Sequence, residues 1–171
     1  IVLWLIVTPE KLTPIVRNQT DKFILCTTHF DTVDITFFST FPTVGLRIKN
    51  FTLINPTPGA PSDTLAVVED LKASLNIKEL LFNNALKVTA VTVSNVKAHL
   101  FIDAKGNTNF DVVETDTTDK DTAFELPFDL INLHKISIKN LNADFTDQFS
   151  GLYASINGLT AQLKGKLTVE D

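Results

Sequence analysis

Apolar side chains recur at the same places around Asn50, Asn95 and Asn140, which lie 45 residues apart. Counting from each asparagine, positions −4, −2, +1 and +3 are apolar. They are Leu46, Ile48, Phe51 and Leu53, then Val91, Val93, Val96 and Ala98, then Ile136, Ile138, Leu141 and Ala143. Each flank alternates with the period of a strand, but the phase slips by one residue across the asparagine. Such a slip sends one flank to the opposite face unless the backbone absorbs an extra residue. A β-bulge absorbs one, and Asn tolerates the left-handed backbone that some bulges need. The spacing predicts repeated β units, each with a bulged strand, in which the asparagine marks a change of face.

The remaining pattern predicts one helix and several more strands. Thr8-Pro9 and Thr13-Pro14 both place a capping residue before a proline, so a helix is expected over 8–22, kinked if it includes Pro14. It would carry Leu12, Ile15, Val16 and Gln19 on one side. Val33 to Phe37 alternates, as does 71–78. Strands over 43–54, 85–103 and 129–146 carry the three repeats. Asn55 to Pro61 is a loop, 79–84 a short helical turn, and Asp103 to Asn107 a tight turn. From Gly151 a last strand pair is expected, with the same slip around Gly158, where Gly replaces Asn.

Strands joined by short turns favour a mainly β fold, a curved antiparallel meander of repeated units plus the N-terminal helix. Residues 1–171 are long enough for one domain with a sizeable core. Alternation with Lys, Thr, Asn and Ser makes one face wet and the other apolar. One helix cannot cover such a sheet. The sheet must curl on itself, pair with a second copy, or cover its apolar face with a ligand.

Composition narrows the function classes. Fifteen basic against 20 acidic residues give a net charge of −5, which argues against a general nucleic-acid binder. Thirteen Phe against one Tyr and one Trp favour plain apolar surface over a protein-recognition patch. Cys26 is the only cysteine, so neither an intramolecular disulfide nor a multi-cysteine zinc site can form. Ile1 to Val7 are all apolar and include Trp4. Seven residues are too few to span a bilayer, which needs about 20. They read either as the outer end of a membrane anchor with Trp4 at the interface or as a buried first strand.

Phe41-Pro42, the strand through Gly45-Leu46 to Asn50, and the closing Asn55-Pro56 form a pattern that resembles the N-terminal region of the AsmA family. Leu80-Leu81-Phe82 before the next strand and Gly106-Asn107-Thr108-Asn109-Phe110 after it fit the same resemblance, which covers most of 8–113. It implies a periplasmic body anchored to the inner membrane of a Gram-negative envelope. It also implies kinship with bridge-like lipid-transfer proteins, whose repeated β units form a groove for acyl chains, and a role in outer-membrane lipid homeostasis or assembly. No catalytic residue carries over, and neither a cofactor nor a metal is implied. The acidic stretch 111–122 departs from the pattern and reads as a solvated loop, since its spacing lacks the glycine and terminal glutamate of a calcium loop.

The expected ligand is therefore a phospholipid or another acyl lipid. The residues expected to line its groove are Leu46, Ile48, Phe51, Leu53, Val91, Val93, Val96, Leu100, Ile136, Ile138, Leu141 and Phe145. The alternative is a ligand-free scaffold whose apolar face is sealed internally or by an envelope partner. His29, with Asp31 and Cys26 nearby, is the only approach to a metal cluster, and a strand would point Cys26 to the other face. His99 and His134 would face each other if their strands paired that way. Asn18 and Asn50 open Asn-X-Thr triplets, but Asn50 already has a structural role.

Overall fold

The computed structural model describes residues 8–37, 43–76, 78, 88–112 and 133–167. Helix α1 spans Pro9–Phe23, with Pro9 in the first turn, where its missing N–H has no partner to lose, and Pro14 inside it. Of the side chains expected on the buried side of α1, Val16 is the one described, and it packs against the sheet's core. The guanidinium of Arg17 lies 4.6 Å from the centre of the Phe30 ring, a second tie between helix and sheet.

Seven strands follow: β1 (Thr28–His29), β2 (Val33–Phe37), β3 (Thr43–Ile54), β4 (Thr64–Asn76), β5 (Val88–Ile102), β6 (Leu133–Asp147) and β7 (Leu152–Leu167). β1 and β2 share one edge of β3, and the sheet then continues β3-β4-β5-β6-β7. The mainly β fold is as expected, a curved sheet that does not close. Every ladder is antiparallel except that between β5 and β6, which is parallel. The meander β3-β4-β5 is antiparallel throughout, as is the pair β6/β7, and it is broken only where β5 and β6 run in the same direction. The expected strand pair after Gly151 is one continuous strand, β7, which passes through Gly158 at φ 67°.

The 45-residue period becomes spatial register. Val91 pairs with Ile136, Val93 with Ile138 and Val96 with Leu141. Through β4 the same offset links β3 to β5: Leu46, Ala73 and Val91 are in line, as are Ile48, Leu71 and Val93.

Asn50, Asn95 and Asn140 are the only non-glycine residues with positive φ among those described, at 52°, 52° and 55°. They occupy a single row across the sheet, with Glu69 of β4 between the first two. The Asn50 side-chain amide donates to Asp31 (2.6 Å), that of Asn95 to Glu69 (2.8 Å), and that of Asn140 to the Asn95 side-chain oxygen (2.9 Å). Because neighbouring strands take the extra step together, the β3–β4, β4–β5 and β5–β6 ladders cross the row without losing register. β7 takes it two residues away, at Gly158. Near this row its ladder with β6 therefore shifts on either side of the Leu141–Leu159 pair and recovers by Ala143 and Ile156.

The asparagines do not change the face of the strand, contrary to the expectation from their spacing. Phe51 packs against the same core cluster as Leu46 and Ile48, and its ring stacks on Phe30 at 6.3 Å. The left-handed residue absorbs the slip, so both flanks stay on one face. That core holds Phe30, Val33, Val44, Leu46, Ile48, Leu75 and Val88. On the wet face Arg47 bonds Asp70 through two nitrogens at 2.6 and 3.1 Å, and Lys72 approaches the same carboxylate at 3.1 Å. The Arg47 hydrogen bond, aided by Lys72, holds the Asp70 carboxyl below the usual range against an opposing push from burial.

Two outcomes follow from this geometry. Asn95→Val, which places a β-branched residue at positive φ, should lower unfolding free energy by about 1–3 kcal/mol in a denaturant titration. Asn95→Gly keeps the backbone and loses only the exposed hydrogen bonds, so it should cost less. Asp70 has a depressed folded pKa, so its stabilisation is full above the ordinary carboxyl value near about 4 and is lost as pH falls through the folded value. Thermal melts should show Asp70→Asn with a shallower loss of stability over that acid range than the wild type.

Candidate functional site

The apolar face is built row by row, because ladder partners share a face. One row runs Leu46, Ala73, Val91, Ile136, Leu163, and the next Ile48, Leu71, Val93, Ile138, Ala161. Beyond the asparagine row come Phe51, Val68, Val96, Leu141, Leu159, then Leu53, Ala66, Ala98, Ala143, Ile156. Leu100, Phe145 and Ala154 continue the face past the end of β4. All twelve residues expected to line a groove thus fall on one surface, and every position in these rows is Ala, Val, Leu, Ile or Phe. From Val88 to Leu100 the face is about 40 Å long, more than the hydrocarbon thickness of a bilayer, about 30 Å.

In every row the side chains of β3 to β6 are buried or half-buried and that of β7 is exposed. Leu46 and Ile48 are buried in the core beneath α1, whereas Val91, Val93, Ile136, Ile138 and Leu141 are half-buried. At β7 the face is open: Leu163 is 55% exposed, Ile156 51% and Leu159 39%. The first strands therefore form a dry core, β6 is half-covered, and the face opens at β7 into an apolar floor. Among the described residues that is an unusual amount of contiguous apolar surface to leave exposed.

One residue that secures this floor was quoted in the sequence only as part of a family pattern. Asn109 is fully buried, and its side-chain oxygen accepts from the Phe101 N–H (2.8 Å). Its amide donates to the His99 carbonyl (2.8 Å), and its own N–H donates to the Phe101 carbonyl (3.0 Å). These bonds satisfy β5 where it outruns β4. The signal was present in Gly106 to Phe110, but a buried asparagine cannot be told from a turn asparagine without the fold. Asp103 closes that turn by accepting from Lys105 and Asn107 N–H groups, and its contacts with Asn107 lower its carboxyl pKa.

The other polar candidates do not assemble. Among the described residues no three of His, Cys, Asp and Glu converge on a metal position. Asp31 is engaged by Asn50, and burial pushes the Cys26 thiol up, away from the thiolate a nucleophile needs. His99 pairs with Asp144 (Nδ1 to Oδ1, 2.6 Å), whereas Ala90 meets Lys135, so His99 and His134 sit at opposite ends of their strands. The parallel register separates them. Asp111 and Val112 are described, and Val112 accepts from the Leu25 N–H, but the rest of the acidic stretch 111–122 lies outside the described residues. So do Ile1 to Val7, Phe41-Pro42 and Leu80 to Phe82. No helix among the described residues is long and apolar enough to cross a membrane.

The family model described as the AsmA family matches residues 1–165. No curated protein and no solved structure matches the chain.

Truncating Asn109 to Ala leaves the Phe101 N–H and the His99 carbonyl unpaired in a dry site. It should cost about 2–4 kcal/mol in equilibrium unfolding and speed amide exchange at Phe101.

Proposed function

The chain belongs to the AsmA family, and from that premise and its open apolar floor we propose that it binds lipid acyl chains without chemical turnover. Family membership fits a cell-envelope role. In the proposed reading the protein lies in the periplasm, anchored to the inner membrane through its N-terminal side, and contributes to outer-membrane lipid homeostasis. The observation that carries it is the exposure of the apolar rows at β7. An acyl chain laid on β6 and β7 would remove from water the side chains that the fold itself leaves exposed, at about 25 cal/mol per Å². A face without a charged or hydroxylated side chain selects for hydrocarbon and not for a headgroup.

The outer edge of β7, which pairs with no strand among the described residues, favours one other reading, a scaffold that seals this face with a partner protein. Lipid extraction and native mass spectrometry of the purified chain separate the two. Copurifying phospholipid or fatty acid is expected, and Leu159→Asp with Leu163→Asp should reduce it severalfold. Both positions are exposed, so these substitutions leave the core intact. A lipid-free protein that dimerises with rising concentration in size-exclusion chromatography would overturn the lipid reading and favour the scaffold.

A further inference from the structure

The wet face carries a second pattern, in charge. The asparagine row divides it into two halves. On the side towards the start of β3, the charged side chains among the described residues are Arg47, Lys49, Lys72, Lys135, Lys139 and Lys164, with Asp34 and Asp70 as the carboxylates. This half has a surplus of positive charge in a protein whose net charge is −5. At and beyond the row the balance reverses. Asp31, Glu69 and Asp144 lie on that half, and Asp63, Asp103, Asp111 and Asp147 lie about the strand ends, against Lys97 and Lys105. The described sheet is thus polarised along its strands.

Within the positive half, Asp70 is already engaged by Arg47 and Lys72. Lys135 and Lys164 stand directly opposite each other on β6 and β7. Among the described residues neither they nor Lys139 has an ion-pair partner. Like charges at opposed positions in an antiparallel ladder repel, so the free protein carries a strain that an anion would relieve. Ser137 lies between Lys135 and Lys139, and Gly45, Ser74, Ala90 and Thr92, all small or hydroxylated, line with Arg47 and Lys72 a depression of about 430 Å³ on the neighbouring strands. No aromatic ring stands among them to stack a base, which disfavours single-stranded nucleic acid. From Lys72 on β4 to Lys164 on β7 the cations spread over three strand spacings, about 14 Å. Such a spread suits many laterally mobile anions better than one fixed ligand.

We propose that this half of the wet face docks the protein on an anionic bilayer surface through lipid phosphate headgroups. The acidic half is then held away from the same surface by repulsion, which sets the orientation of the sheet as well as its attachment. This contact is separate from the apolar floor. It uses the opposite face, depends on charge, and weakens with salt.

Vesicle co-flotation of the full chain tests it, with phosphatidylcholine alone against phosphatidylcholine containing phosphatidylglycerol. Binding should require phosphatidylglycerol and fall with added salt. Lys135→Glu with Lys164→Glu should weaken it by about 30-fold or more, and Lys135→Gln with Lys164→Gln by less. Lys97→Glu with Lys105→Glu changes the net charge equally at the other end and should leave it unchanged. A circular-dichroism melt confirms that each variant is folded. Equal binding to both vesicles, equal loss in the Lys97/Lys105 variant, or no vesicle binding at all would overturn the proposal. An apolar-floor contact alone would survive salt and all these substitutions, so the two readings fail separately.

Discussion

A strand that must keep an odd-spaced set of apolar residues on one face needs one backbone step outside the β region, and the rest of this sheet depends on where that step is taken. Asn50, Asn95 and Asn140 supply it at positive φ, a conformation that asparagine adopts at lower cost than most residues. Their alignment in one row matters as much as their conformation. An extra residue on one strand alone would have made a bulge and shifted every pair beyond it. Taken by adjacent strands together, it preserves the ladders and lets Leu46, Ile48 and Phe51 share a core. The chain of side-chain bonds from Glu69 through Asn95 to Asn140 ties β4 to the steps of β5 and β6.

That alignment produces two unlike faces on one thin sheet. Apolar rows run unbroken from β3 to β7, dry where α1 covers them and bare where nothing described does. The opposite face is sorted by charge about the same asparagine row. Hydrocarbon and headgroup chemistry are thereby assigned to opposite sides, so the two proposed contacts do not compete for surface. β7 combines an exposed apolar row with an edge that is unpaired among the described residues, and Lys164 on its wet side belongs to the cationic patch. It is the element on which both proposals converge.

Much of this was legible in the chain. Period-two alternation with a fixed 45-residue recurrence identified the strands and the apolar residues, because strand period and burial are local consequences of side-chain order, and short motifs such as Gly45-Leu46 and Asn55-Pro56 carried the resemblance to the family. The twelve residues expected to line a groove share one face because they sit at alternating offsets from each asparagine (−4, −2, +1, then +3 or +5), and the constant offset of the β5–β6 ladder reproduces the repeat. The face change attributed to the asparagines was not legible correctly. Spacing shows that the phase slips, but whether a flank turns over or the backbone absorbs the slip depends on φ at one residue.

Other features needed the assembled sheet. The bond of Arg47 to Asp70 and the burial of Asn109 join residues whose separation in sequence carries no signal, and His99 meets Asp144, one repeat away, only because the β5–β6 ladder is parallel. The sequence by itself determined that this protein is a repetitive β structure with one apolar face, since that follows from which side chains alternate. Only the tertiary structure decided that β5 and β6 run parallel, that the apolar floor is open at β7, and that the lysines gather on one half of the wet face. Those outcomes depend on strand order and register, which long-range hydrogen bonds fix and local sequence does not.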